Sequence, residues 1–364
     1  MSGGGHSSPR VGLVLGAGGV LGGAWITGGL HALATETGWD PGAADHIVGT
    51  SAGSMMGSLV AAGVPPWFMV AHSAGESFEG LTGADGRAAK DADRSAGASF
   101  RLHRGLPIPG PGSLRMALGA LARPTRHTPL QLITGWLPQG LISTESLKDT
   151  VRRAVPGSWV DHPAFWAVAT DYESGRRVAF GRADAPPAQI EDAVAASCAI
   201  PGFFRPVTIG GRRYVDGGVC SPSSLDLLAG LDLDLVICLN PTSSLMRQAV
   251  RSPLDGLAEV ARRGNGRRLG YEAKKLRAEG TEVVLIQPTE EDLQVMGRNL
   301  MNRTRRHQVI ERAIDTVGEQ LREDRVREAL RGLPPGEPHK IARPDGPPST
   351  WPPITAAVRG ERAA

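Results

Sequence analysis

Gly49-Thr50-Ser51-Ala52-Gly53 constrains this chain more than any other stretch. A strand-like run, Asp45-His46-Ile47-Val48, leads into it, and small residues over 54–62 lead out with helical character. Strand, sharp turn and helix form the setting in which G-x-S-x-G presents its serine as a nucleophile. Glycines flank such a turn because a Cβ would obstruct the close approach of backbone. The same residues also suit a Gly/Ser-rich loop without chemistry, and the pentapeptide alone does not separate the two.

The residues before it narrow the choice. Val11-Gly12-Leu13-Val14-Leu15 reads as a buried parallel strand. A loop, Gly16-Ala17-Gly18-Gly19-Val20-Leu21-Gly22-Gly23, follows, and 24–33 reads as a helix despite its glycines. Strand, Gly loop, helix, strand, turn and helix make the right-handed βαβ opening of an α/β fold. The Gly loop on its own resembles a dinucleotide fingerprint, but that use wants an acidic side chain at the end of the second strand. Gly49-Thr50-Ser51 stands there instead. The better use is a set of backbone N–H donors at a helix N-terminus, aimed at a negative oxygen. An ester hydrolase needs such an oxyanion hole for its tetrahedral intermediate. Gly18 and Gly19 are the leading donors, Ala17 is a third, and the Ala52 N–H just after the serine contributes.

Further along, 82–140 carries many Gly and Pro between short apolar patches, with short amphipathic helices expected near 113–121 and 130–137. A connection of that length is a lid or a passive insert. A strand at 165–170, a turn and a strand at 176–180 form a hairpin-like pair, and a helix at 189–198 stops at Ile200-Pro201-Gly202. A strand at 212–215 ends in Asp216-Gly217-Gly218. Asp216 there is either a β-turn aspartate or a carboxylate able to approach a neighbour closely. A short helix is expected near 223–230, strands at 235–239 and 282–286, a long helix at 254–279 and a single C-terminal helix over 305–330. Residues 1–9 read as a disordered arm, 10–332 as the catalytic domain and 333–364 as a Pro-rich tail with little regular structure.

The three glycine blocks together, in this order, resemble the patatin-like phospholipase family. Ala169-Thr170-Asp171-Tyr172-Glu173-Ser174-Gly175 resembles its A-T-D-x-x-[ST]-G segment. Ala195-Ala196-Ser197-Cys198-Ala199-Ile200-Pro201-Gly202-Phe203-Phe204 resembles its A-S-x-x-[IV]-P-x-[FV]-F segment. The resemblance covers roughly 10–240 and is weak across 82–140. It implies a patatin-like fold: three α/β/α layers around a mostly parallel central sheet. It also implies a Ser–Asp dyad in place of a triad, with Ser51 as nucleophile, Asp216 as base and the Gly16–Gly22 loop as oxyanion hole. Gly16, Gly22, Gly49, Gly53, Gly217 and Gly218 are the motif glycines. The family's Gly loop usually carries Arg or Lys where this chain has Leu21, which removes a cation expected to face the site.

The implied substrate is a lipid acyl ester. No cofactor and no metal are expected, because the dyad needs none and no ligand spacing is visible. Net charge is only +3 among 364 residues, so no nucleic-acid footprint appears. Cys198, Cys220 and Cys238 lack C-x-x-C spacing and suit a reduced, cytoplasmic setting. No signal peptide or membrane span is visible. Over 259–277 seven Lys/Arg stand against Glu259 and Glu272. This is either a solvated basic helix face or a peripheral contact with an anionic membrane. Two other readings compete: a Ser–His–Asp hydrolase using His307, and a lipid-binding protein that keeps the fold without activity.

Overall fold

Among the described residues, eight strands form one sheet, and alternate residues of its strands face two different apolar layers. The computed structural model describes residues 8–76, 100–103, 110–122, 129–155, 157–244 and 253–346. In chain order the elements are β1 (Val11–Leu15), α1 (Gly19–Thr37), β2 (His46–Thr50), α2 (Ala52–Ala61), α3 (Pro66–Ser73), α4 (Leu114–Ala122) and α5 (Pro129–Thr134). Then come α6 (Glu145–Ala154), β3 (Phe165–Asp171), β4 (Arg177–Phe180), α7 (Ile190–Ser197), β5 (Val207–Ile209), β6 (Arg212–Asp216) and β7 (Leu235–Leu239). The chain continues through α8 (Pro253–Ala278), β8 (Glu282–Ile286), α9 (Glu290–Met296), α10 (Arg306–Arg322), α11 (Asp324–Leu330) and α12 (Pro338–Ile341).

The strand order is β5-β6-β3-β2-β1-β7-β8, with β4 also paired to β3. Strands β3, β2, β1, β7 and β8 run parallel, and β4, β5 and β6 join antiparallel at one side. The fold is therefore α/β, a mostly parallel sheet between two helical layers. Side-chain alternation along a strand makes the layers. Leu13, Leu15, Ile47, Ala167, Ile237 and Leu239 pack toward α1, α2, α7 and α10. Val14, Val48, Val168, Val236 and Cys238 pack toward Leu225, Leu228 and the inner face of α8, formed by Leu269, Ala273 and Leu276.

Helix α1 is longer than its sequence suggests because its glycines lie against close neighbours. A Cβ on Gly28 would come within 2.5 Å of Ile310 O on α10, and one on Gly29 within 2.8 Å of Leu239 Cδ2. The helix thereby approaches both α10 and the sheet, and this packing outweighs the weak helix propensity of glycine. The single C-terminal helix expected over 305–330 is two helices, separated at Glu323, whose ψ of 134° leaves the helical region. The short helix expected near 223–230 is a 3₁₀ turn, Leu225–Leu228. Residues 333–346 run back over the domain. Gly336 N–H donates to Gly38 O at 2.7 Å, Trp67 Nε1–H donates to His339 O at 2.8 Å, and Lys340 pairs with Asp40 at 3.3 Å. Of the 82–140 stretch, α4, α5 and the segments beside them are described, and the rest lies outside the described residues, as do 347–364.

Candidate active site

The parallel strands deliver the Gly loop after β1 and the turn after β2 to the same sheet edge, the position where α/β folds bind ligands. Strand β6 reaches that edge from the opposite direction. The register aligns Thr50 with Val168 and Asp216 with Ala169, so β3 lies between the serine turn and the aspartate. Two strand spacings separate their backbones by about 10 Å, and the small side chain of Ala169 leaves room above β3. The gap is closed by side chains: Ser51 Oγ–H donates to Asp216 Oδ2 at 2.6 Å. Ser51 is 4% and Asp216 5% exposed, so this contact is largely withdrawn from water.

Ser51 has φ 54° and ψ −123°, a left-handed conformation outside the usual range of a side-chain-bearing residue. Such backbone typically costs about 1–3 kcal/mol and persists only where its surroundings hold it. Here they do. Ser51 N–H donates to Ser197 Oγ at 2.9 Å, and Ser197 Oγ–H donates to Val168 O at 2.5 Å. The Ser51 carbonyl accepts from Ser54 Oγ–H at 2.7 Å and from the Cys198 thiol at 3.1 Å. Burial, reinforced by the charge of Asp216, pushes the Cys198 thiol up, which keeps it protonated and a donor. The flanking glycines are sterically required: a Cβ on Gly53 would meet Leu15 O at 1.9 Å, and one on Gly49 would meet Ser54 Cα at 2.4 Å.

The three glycine blocks touch. Gly53 N–H donates to Gly16 O at 3.1 Å, joining the serine turn to the Gly loop. A Cβ on Gly218 would lie 3.4 Å from the Cβ of Ala17, joining the third block to the first. A Cβ on Gly217 would meet Val168 O at 2.2 Å, and Gly18 and Gly22 both lie close against Pro241. Among the described residues, the N–H groups of Gly18, Gly19 and Ala52 have no protein acceptor, because each stands at the start of α1 or α2. Ala17 differs: its N–H donates to Pro222 O at 2.7 Å, so the third expected donor is already committed. Leu21 also departs from expectation. Its side chain is fully buried in the core and its N–H donates to Leu300 O at 2.9 Å, so it does not face the site.

Burial pushes the Asp216 carboxyl up to about 6; its hydrogen bonds from Ser51 and from Gly218 N–H, the latter at 2.7 Å, pull in the opposite direction. Thr170 Oγ1–H donates to Asp216 O at 3.0 Å and fixes the end of β6. Asp171, in the same sequence block, has a different task. It accepts from Glu173 and Ser174 N–H in the turn after β3 and from Arg212 Nη1 at 2.9 Å. His307 is exposed at the start of α10, and the hydrogen-bond partner of Ser51 Oγ is the carboxylate. Among the described residues, no three His, Cys, Asp or Glu side chains gather as metal ligands, and no helix is long and apolar enough to cross a membrane.

The sequence assigned Ser197 and Cys198 no role. Their signals were that Ser197 matches the serine of the A-S-x-x-[IV]-P segment and that both are small polar residues just ahead of the Ile200-Pro201-Gly202 helix stop, in a block otherwise apolar.

A family model described as patatin-like phospholipase matches residues 13–229, more than half of the chain. Uncharacterized NTE family proteins of Mycobacterium bovis and Mycobacterium tuberculosis are each 32% identical over 243 residues, which are 66% of this chain and 51% of theirs. The chain thus spans about half the length of the curated relatives it matches. The crystal structure of VipD from Legionella pneumophila aligns with a TM-score of 0.40 at 16% identity, over 96% of this chain and 73% of that chain.

Proposed function

The chain belongs to the patatin-like phospholipase family, and on that premise we propose that it hydrolyses a lipid acyl ester with a Ser51–Asp216 dyad. The observation that carries this reading is the 2.6 Å hydrogen bond between a buried carboxylate and a serine held on strained backbone. Ser51 Oγ attacks the acyl carbonyl carbon while Asp216 takes its proton. The carbonyl oxygen becomes an oxyanion, and the uncommitted N–H groups of Gly18, Gly19 and Ala52 receive it. Each starts a helix, so the helix dipoles favour the same negative charge. Collapse of the intermediate breaks the ester C–O bond, Asp216 returns its proton to the leaving alcohol, and the acyl group stays on Ser51. Water then attacks the acyl-serine with Asp216 as base, releasing the fatty acid and restoring Ser51.

A carboxyl raised to about 6 suits this work, because it is ionised at neutral pH yet basic enough to hold a proton during attack. A fluorophosphonate probe is expected to label Ser51 covalently in the wild-type protein and to leave Ser51→Ala unlabelled. Hydrolysis of p-nitrophenyl butyrate should fall by at least about 10⁴-fold in Ser51→Ala. Retained labelling, or a rate lost on His307→Ala but kept on Asp216→Asn, would reject the dyad.

A further inference from the structure

Eight large apolar side chains are well exposed among the described residues, and six of them lie within 100–141: Leu102, Leu114, Leu118, Ile133, Trp136 and Leu141, at 44% to 72% exposure. They belong to one substructure. Leu114 and Leu118 are four residues apart on α4 and share a face. Helix α4 runs beside the end of α5, where Ser113 N–H donates to Gly135 O at 3.1 Å and Gly112 N–H to Leu137 O at 2.8 Å. Leu102 pairs with Ile142 in a short bridge, and His103 N–H donates to Leu141 O.

Charge is distributed with the same bias. Residues 100–141 contain five Arg and two His but no Asp or Glu, although the whole chain holds 37 acidic residues. Arg101 and Arg115 are exposed beside the apolar residues. The nearest carboxylate, Glu173, accepts from Ser113 Oγ–H at 3.3 Å and is paired with Arg213, which leaves Arg101 and Arg115 as the exposed charges beside the apolar residues. That combination matches the boundary of a bilayer bearing anionic lipids, where apolar groups enter the acyl boundary and cations meet the headgroups. The opposite face of α4 is committed inward. Met116 packs with Tyr172, Val215 and Val219, and the last two flank Asp216. The outward face is therefore one helix layer from the segment that carries the base.

We propose that this face, formed by α4, the end of α5 and the strand-like segments at 102 and 141, docks the protein on an anionic lipid surface. The inference deepens the hydrolase reading by naming where a lipid substrate would be met, but its test does not require turnover. The competing surface is the basic side of α8, where Arg263 and Arg267 are exposed. Among the residues of that helix whose side chains are described, Val260 and Tyr271 are the exposed large apolar ones, and its inner face uses Glu272 to hold Ser221 and Ser223 at 2.7 and 2.6 Å.

The experiment is co-sedimentation of the full-length Ser51→Ala protein with vesicles of equal parts phosphatidylcholine and phosphatidylglycerol, and with phosphatidylcholine alone. Binding to the anionic vesicles is expected to weaken at least about tenfold when Leu114→Ser, Leu118→Ser and Trp136→Ser are combined. Arg101→Glu with Arg115→Glu should give a comparable loss, and Arg263→Glu with Arg267→Glu less than about a twofold change. Quenching of tryptophan fluorescence by brominated lipid should diminish in Trp136→Phe. Unchanged binding of the triple variant, equal binding to phosphatidylcholine alone, or a loss confined to the α8 pair would each overturn the proposal. So would a concentration-dependent dimer abolished by the triple variant without vesicle binding, which would assign the face to a second copy of the chain. The same patch substitutions in the Ser51 protein should keep its rate on p-nitrophenyl butyrate, which controls for folding. If the Ser51 protein binds vesicles but hydrolyses no ester, the hydrolase reading fails and the docking surface stands.

Discussion

Ser51 sits on left-handed backbone with φ 54°, whereas Asp216, bonded to it, has φ −47° and ψ 131° and no comparable strain. The serine side stores its unfavourable energy in the chain. Ser197, Ser54 and Cys198 bind its N–H and C=O and prevent relaxation. The aspartate side stores it in charge. A carboxylate is ionised where water is largely excluded, with hydrogen bonds from Ser51 and Gly218 offsetting only part of the cost. The two halves should therefore respond to substitution with opposite signs of stability.

Of the changes that set the two halves against each other, the largest effect expected under the proposed dyad is at Asp216→Asn. With no base to take the serine proton, kcat/KM on a short-chain ester should fall by about 10³–10⁴-fold. The same change removes a buried charge. A rise from 3.8 to about 6 corresponds to a penalty on the order of 3 kcal/mol at neutral pH. Chemical denaturation should accordingly show Asp216→Asn gaining about 1–3 kcal/mol, and a loss of stability there would break the comparison. Ser197→Ala should move both quantities down. It leaves the Ser51 N–H buried without an acceptor, so about 1–2 kcal/mol of stability and about tenfold in kcat should be lost, with KM little changed. A stable Ser197→Ala protein with full kcat would show that the turn holds its conformation unaided.

The smallest effect is the pH response of the wild type, and it sharpens the aspartate half. Under the proposed dyad activity needs the ionised carboxylate, so log kcat/KM should rise with unit slope up to an inflection near pH 6 and then level. Stability runs the other way for this group. Its folded-state value lies above its unfolded one, so its stabilising contribution is fully present below about 3.8 and is lost as pH rises through about 6. Asp216→Asn should remove that part of the pH dependence of unfolding. A profile of unfolding free energy identical in the two proteins would contradict the charged, buried carboxylate.

The serine turn was legible because its determinants are local. Apolar residues before it, small residues after it and glycines at both flanks all follow from the sterics of one tight turn. The βαβ opening was legible for a similar reason, since short apolar runs and glycine-rich loops mark its strands and turns, whereas the mostly parallel sheet was expected from the family resemblance. Ser197 was not legible, because what it does depends on the Ser51 N–H, 146 residues away in sequence. Nor was the loss of Ala17 as a donor, which follows from where Pro222 O happens to lie. Leu21 illustrates the same limit. In the loop's sequence it occupies the place of a cation, but the rotation of α1 turns its side chain into the core.

The sequence by itself determined the serine turn and the glycines around it, and through its resemblance to the family it led to the expectation of a carboxylate base at the end of a late strand. Tertiary structure alone decided that Asp216 lies one hydrogen bond from Ser51 and that its charge is raised in energy by burial. The physical reason is range. Turn sterics act over a few bonds, whereas strand register and exclusion of water are properties of the assembled sheet, to which residues 165 positions apart contribute equally.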